Sequence, residues 1–444
     1  MMLSAEDNFS ELFSAHNESP QQYAQRLTAI LQHVAFLAPH RVPLADALGQ
    51  VLAEPIDAAL DSPSFDNSQM DGYVLTAADA LSDAREFTVG HDIPAGFQGS
   101  VDVCDRVVHP IMTGAPIPQG FSAVVPVERS QAVDSEVDAQ GFVAEGGRVR
   151  LPEAEPGTFV RTAGEDIRRG TRLVDAGTVL GAVHLGVLAG QGIGEVLVHR
   201  RPRVLVYTGG EEVQADSGSL QAGKIYDANA PLLTGLLAAD KITEVTARRI
   251  TDDAEEFQGI LATDSATYSP DLVVTCGGIS AGRYEVVRNA LNALAKKGEA
   301  DCWFGHISQQ PGGPQGVSVL SLTEQRIPVI SLPGNPVSTL VTYTRAVRVA
   351  LNAVYFLGVT DQPVTAQLST TDTVKGLDAK TQFRRGTTTM GFLPDGAAVL
   401  TAEIKGGAGS HLLHAASESN CLIELEPGRE YKNKDAVRIW YLPD

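Results

Sequence analysis

The sequence predicts a multidomain α/β plus β protein: a central doubly wound α/β domain, an inserted β-rich domain and a C-terminal β-barrel-like domain. Three observations lead there. A chain of 444 residues exceeds what one hydrophobic core usually organises, so two to four domains are expected. Between Arg203 and Leu357 short apolar strand runs alternate with helical segments, the pattern of a mostly parallel sheet. On either side that alternation gives way to short β-rich runs broken by Gly and Pro turns.

In chain order, residues 1–18 read as a flexible tail. Ser19-Pro20 then supplies a helix cap and a first-turn proline. Tyr23, Leu27, Ile30, Leu31 and Val34 keep the three-and-four spacing of one apolar helix face, which Pro39 ends. Residues 19–56 together with 157–200 are expected to form an N-terminal mixed domain, with 57–156 as the inserted β-rich domain. In the α/β domain, 201–357, strands are expected near 204–207, 243–250, 271–275 and 328–332. Helices are expected near 229–239, 252–262 and 284–297, with a long one after Pro336. The last domain, 358–444, carries strand runs near 364–368, 381–384, 397–402, 421–424 and 437–441.

Composition excludes several functions. Thirty-four basic against 54 acidic residues give a net charge of -20, which opposes nonspecific binding to nucleic acid or to an anionic membrane surface. The four cysteines, Cys104, Cys276, Cys302 and Cys421, form no CxxC pair and suit a reducing compartment. The start of the chain is acidic, without the basic region of a secretory leader. The most apolar stretch, 181–198, is interrupted by His184, Gln191 and Glu195 and cannot span a bilayer. A cytoplasmic location without membrane insertion is expected.

Three glycine-rich turns follow predicted strands: Thr208-Gly209-Gly210, Cys276-Gly277-Gly278 and Pro333-Gly334-Asn335. Glycine lets backbone N–H groups approach an anion closely, and ligands of such sheets bind beyond the strands' carboxyl ends. A plain strand-to-helix connection accounts for any one of these turns, but less well for three in one unit. Neither GxGxxG nor GxxxxGK[ST] is present, so a dinucleotide fold and a Walker P-loop are disfavoured. Acids stand beside glycines at Asp66, Asp71, Glu165, Asp166, Glu211, Glu212 and Asp227. Acids beside a phosphate crevice suit Mg²⁺, a hard cation that takes oxygen ligands. Singly, Asp66 or Asp227 reads as a turn or cap residue.

Together these strings resemble the molybdenum-insertion (molybdopterin molybdenumtransferase) family, which includes the E domain of gephyrin. DNSQMDGYV at 66–74 resembles the family's DNSAMDGYA box, and MTGAPIPQGFSAVV at 112–125 its MTGAPxPxGADAVV box. RTAGEDI at 161–167, TGGEE at 208–212, YDAN at 226–229, LPGNPVS at 332–338, RRG at 384–386 and GSH at 409–411 follow in the family's order. The resemblance implies an elongated homodimer that takes adenylylated molybdopterin and molybdate, cleaves the adenylate with Mg²⁺ and releases AMP. It implies catalytic roles for Asp66, Thr113, Asp166, Glu211, Asp227, Glu285 and Arg385, with Glu211 and Asp227 as the Mg²⁺ ligands. It implies pterin binding by Gly277, Gly278, Ser280, Pro333, Gly334, Asn335, Pro336 and Ser410, the first three cradling the phosphate.

The departures cluster. Glu285 and Arg283 stand where aspartate and an acid are usual, and His306, Gln310 and Gly313 stand where the family carries lysines. Removing a cation from a desolvated anion site costs about 2–5 kcal/mol when its partner charge stays buried. Reduced transferase activity is one expectation. The alternative is a gephyrin-like dimeric scaffold that binds a tubulin-like division protein or a membrane-protein cytoplasmic tail. A generic nucleotide- or sugar-phosphate enzyme would explain the turns but not the flanking motifs.

Overall fold

Parallel strands covered on both faces must be apolar along their whole length. Val204–Thr208 and Leu272–Cys276 are buried at every position. The computed structural model describes residues 9–34, 37–210, 212–214, 218–251, 253–280, 285–322, 325–392 and 396–443. The chain divides into two units, one of Met1–Arg41, Gly49–Ala53 and Leu197–Asp444, the other of Val42–Leu48 and Glu54–Val196.

The first unit is built on a six-stranded sheet in the order Val245–Arg249, Val204–Thr208, Leu272–Cys276, Ile327–Leu332, Pro314–Leu320, Ala300–His306. The first four strands are parallel and the last two antiparallel. The doubly wound sheet is the one expected; the antiparallel hairpin at its edge was not foreseen, because its strands lie in a stretch broken by Gly305, Pro311, Gly312 and Gly313. Successive side chains of a strand face opposite ways. Val204 and Val206 accordingly join Val274 and Ile330 in one core layer, while Leu205 and Tyr207 join Phe257, Val273 and Leu291 in the other. The apolar face of helix Pro20–Val34 completes the first layer, with Tyr23, Leu27, Ile30 and Leu31 fully buried.

The tail ahead of that helix departs from expectation over its described part. Phe9 is buried beside Phe13, the Trp303 indole N–H donates to the Ala15 carbonyl at 2.8 Å, and the Ser308 N–H donates to the Glu18 carbonyl at 2.7 Å. Phe9 belongs to the core, and Leu12 and Phe13 pack against it.

One buried carboxylate ties the sheet's entrance together. Asp271, immediately before the third strand, accepts from the Arg203 N–H and from Arg200 Nη2, both at 2.8 Å, and its side chain is 1% exposed. Removing one partner of a buried pair strands the other charge. Because both arginines are about one third exposed, Asp271→Ala should cost about 3 kcal/mol, at the low end for such pairs, read as a lower midpoint in urea unfolding.

The C-terminal part of this unit is a closed five-stranded barrel: Thr381–Phe392, Ala398–Ile404, Val364–Ser369, Ala436–Tyr441, Cys421–Leu425 and back to the first. Closure is possible because the first strand has 12 residues and pairs with two neighbours in succession, exchanging them at Gly386. A Cβ there would lie 2.8 Å from the Glu403 carbonyl oxygen, so only glycine lets both partners approach. Gln309–Gln310 pairs with Thr381 and Gln382, which joins the barrel to the edge hairpin of the sheet.

The second unit is β-rich and extends to Val196, beyond the 57–156 expected for the inserted domain. Its main sheet has the order Phe121–Pro126, Gly72–Thr76, Val107–Ile111, Glu86–Val89, Arg148–Arg150, Gln131–Val133. Tyr73 and Leu75 face one core, Val74 the other. His109 is buried in this sheet, its Nδ1 3.1 Å from the His91 carbonyl and its Nε2 without a partner. Burial is the main cause of a His109 pKa below the ordinary value. A base with a depressed folded pKa is neutral in the fold and takes up a proton on unfolding, so its contribution is intact above about pH 6.5 and declines as pH falls toward the folded value. The melting temperature should therefore fall between pH 7.5 and pH 5.5, less steeply in His109→Gln; equal slopes would exclude His109 as a source.

Candidate functional site

The three glycine turns meet at the carboxyl ends of adjacent strands. Gly277 has φ +98°, and a Cβ there would come within 3.0 Å of the Gly209 carbonyl oxygen and 4.0 Å of Gly334 Cα. Turns this close leave no room for side chains, so their backbone forms the floor of a cleft of about 880 Å³. That is within the size range of small-molecule sites.

Of the residues expected to be functional, Asp227, Gly277, Gly278, Ser280, Glu285, Pro333, Gly334, Asn335, Pro336 and Ser410 all line this cleft. Asp227 is held rigidly: Oδ1 accepts from the N–H groups of Asn229 and Ala230 at 2.9 and 3.0 Å, and Oδ2 accepts from the Thr208 hydroxyl at 2.6 Å. Asn229, part of the YDAN string but given no role there, ties two turns together by donating from Nδ2 to the Gly334 carbonyl at 2.7 Å. The backbone cradle is narrower than expected. The Gly277 N–H already donates to the Leu332 carbonyl at 3.0 Å and the Ser280 N–H to Glu285 at 2.8 Å.

Cys276 offers no nucleophile. It is buried, its thiol donates to the Pro333 carbonyl at 3.2 Å, and burial pushes its pKa up to about 12. Among the described residues no group of three or more His, Cys, Asp or Glu side chains is gathered to hold a metal. Glu211 and Arg283 lie outside the described residues.

Arg385 does not line the cleft. It sits in the barrel wall, 0% exposed, donating from Nη2 to the Gly407 carbonyl, with Nε and Nη1 lacking partners. The Gly407 segment leads directly to Ala408, Gly409, Ser410 and His411 on the cleft wall. Of the three positions lacking lysine, Gln310 lines the cleft, whereas His306 and Gly313 are absent from its described lining.

Asp66, Thr113 and Asp166 belong to the second unit and are exposed there. Three motif strings converge around them. The Ser68 N–H donates to the Ala115 carbonyl, Ser68 pairs with Val160, and Arg161 donates to Asn67 at 3.2 Å. Asp66 Oδ1 accepts from the Ala163 N–H at 2.7 Å. Asp71, one of the acids beside glycines but not among the residues expected to be catalytic, accepts both the N–H and the hydroxyl of Thr113, at 2.7 and 2.8 Å. Those bonds, the backbone one foremost, hold its carboxyl below the usual range. Its presence inside the DNSQMDGYV string was the available signal.

Residues 21–192 match the MoeA N-terminal region (domain I and II), and residues 205–353 match the probable molybdopterin binding domain. The chain is 34% identical over 427 residues, 95% of its length and 99% of the relative's, to molybdopterin molybdenumtransferase 2 of Mycobacterium tuberculosis. The chain belongs to the molybdopterin molybdenumtransferase family. Another member, the molybdopterin molybdenumtransferase of Haemophilus influenzae, is 30% identical over 387 residues, covering 87% of this chain and 89% of that one. The fold is shared with the molybdopterin biosynthesis MoeA protein of Pyrococcus horikosii, with a TM-score of 0.74 at 24% identity over 94% of this chain and 98% of that one. No helix among the described residues is long and apolar enough to cross a membrane.

Proposed function

We propose that this chain transfers molybdenum to molybdopterin, taking adenylylated molybdopterin and molybdate and releasing AMP. The observation that carries the reading is the pairing of two features at one cleft. Its floor is made of three glycine turns held by Asp227 and Asn229, and the Ser410 segment, anchored on a buried, incompletely partnered arginine, lines the same cleft. The floor suits a pterin phosphate, with the Gly278 backbone and the Ser280 hydroxyl as donors; the wall suits an oxyanion.

Mg²⁺, when bound, would neutralise charge on the scissile phosphate. Asp227 and Glu211 are its proposed protein ligands. The fit is reasonable for Asp227, which lines the cleft and whose carboxylate is already positioned by Thr208 and two backbone N–H groups. Mg²⁺ usually takes only one or two carboxylates beside substrate oxygens and water, so the lack of a larger acidic cluster is no obstacle. Asp66, Thr113 and Asp166 are proposed to act on the same substrate. Incubation with adenylylated molybdopterin, Mg²⁺ and molybdate should release AMP; release no faster than from heat-denatured protein would overturn the reading.

Self-association into a homodimer belongs to the same proposal. Helix Ala182–Gly190 reads AVHLGVLAG, yet only Leu188 is buried and Val183 is 80% exposed. A helix apolar on all sides is stable only when covered. Light scattering should give about twice the monomer mass, and Val183→Glu should shift it toward the monomer; a monomeric parent protein would exclude the dimer. No observation favours the scaffold reading or its protein partners.

A further inference from the structure

The cleft is asymmetric in charge. Its described lining carries three carboxylates, Glu212, Asp227 and Glu285, and neither lysine nor arginine. All three belong to segments that follow or flank the sheet's turns. The barrel contributes segment 408–411 to the same lining, where His411 is the one described lining side chain able to carry positive charge. The strand beneath that segment reinforces the difference. Arg384 donates to the Gly406 carbonyl at 2.9 Å and Arg385 to that of Gly407, and neither has an ion pair among the described residues. The other charges of the segment are mutually paired: Lys405 with Glu403 at 3.0 Å, and His414 with Glu418 at 3.7 Å.

With a pterin phosphate on the floor, a second doubly charged oxyanion is repelled by that phosphate as well as by the three carboxylates, which leaves it the barrel segment. There it meets a histidine ring, the Ser410 hydroxyl and the Gln310 amide. Gln310 is fixed on that side by pairing with Gln382, three residues before Arg385. Amide and hydroxyl donate without charge, so the imidazole is the group whose removal changes the local field most. We propose that His411 contacts the oxyanion substrate and sets its affinity in this chain. The inference rests on the transferase reading for the identity of the oxyanion, molybdate.

Two measurements test it separately from that reading. Equilibrium dialysis of sodium molybdate against the full chain needs no turnover, and the molybdate KM for AMP release reports the working enzyme. His411→Ala should weaken molybdate about tenfold or more in both, leaving the KM for adenylylated molybdopterin within about twofold. His411→Lys should restore tight binding. An alanine variant with unchanged molybdate affinity, or one whose pterin KM rises equally, overturns the assignment. If the parent protein binds molybdate yet releases no AMP, the transferase reading fails and dialysis alone decides His411. If it does neither, both fall.

Discussion

Replacing Arg385 by methionine is expected to cut molybdate-dependent AMP release about a hundredfold while the melting temperature holds level or rises. The guanidinium is fully buried, Nε and Nη1 are unpartnered, and its own pKa is lowered chiefly by burial and further by the adjacent Arg384. A buried charge without its counterion destabilises a fold, and an apolar residue of similar length often restores or improves stability. Arg385 does not line the cleft, so its charge would reach an oxyanion there through the Ser410 segment; losing a cation that serves a desolvated anion site costs about 2–5 kcal/mol of binding, which brackets a hundredfold. Thermal melting and AMP release on the same preparation check this. A normal rate would remove Arg385 from the oxyanion site, and a melting temperature lowered by many degrees would make its role structural.

Asp227→Asn should be comparably severe and instructive in a different way. Asparagine keeps an oxygen that accepts from the N–H groups of Asn229 and Ala230, so the helix start survives. What disappears is the negative charge. AMP release should fall about a hundred- to a thousandfold, the range for losing one electrostatic contact to a transition state, with little change in melting temperature. Asp227→Ala should lose the same activity and, with the cap gone, about 1 kcal/mol of stability as well. If asparagine supports near-normal turnover, the carboxylate acts only as a cap, the plainer role the sequence also allowed.

Much of the fold was legible because it depends on neighbours along the chain. The face of Tyr23, Leu27, Ile30, Leu31 and Val34 follows from helical periodicity; the first four are fully buried and Val34 partly so. The uniformly apolar runs at 204–208 and 272–276 announced parallel strands buried on both sides. Where such elements dock is another matter. The helix Pro20–Val34 packs against the α/β core, and nothing in its own pattern names that partner. The exposed helix Ala182–Gly190 shows the converse, an apolar pattern that by itself reads as interior.

The candidate site divides the same way. Glycine turns, capping aspartates and ordered motif strings are local features, so the sequence by itself determined the family, the sheet and the floor of the cleft. Only the tertiary structure decided which of the substituted positions line the cleft, that Thr113 is held by Asp71, that Arg385 lies beneath the segment leading to Ser410 with no ion pair among the described residues, and that His411 is the one basic side chain beside three carboxylates in the described lining. Each of these joins residues from separate strands or segments. Their meeting depends on sheet order and barrel closure, and those are properties of long-range pairing that no local pattern carries.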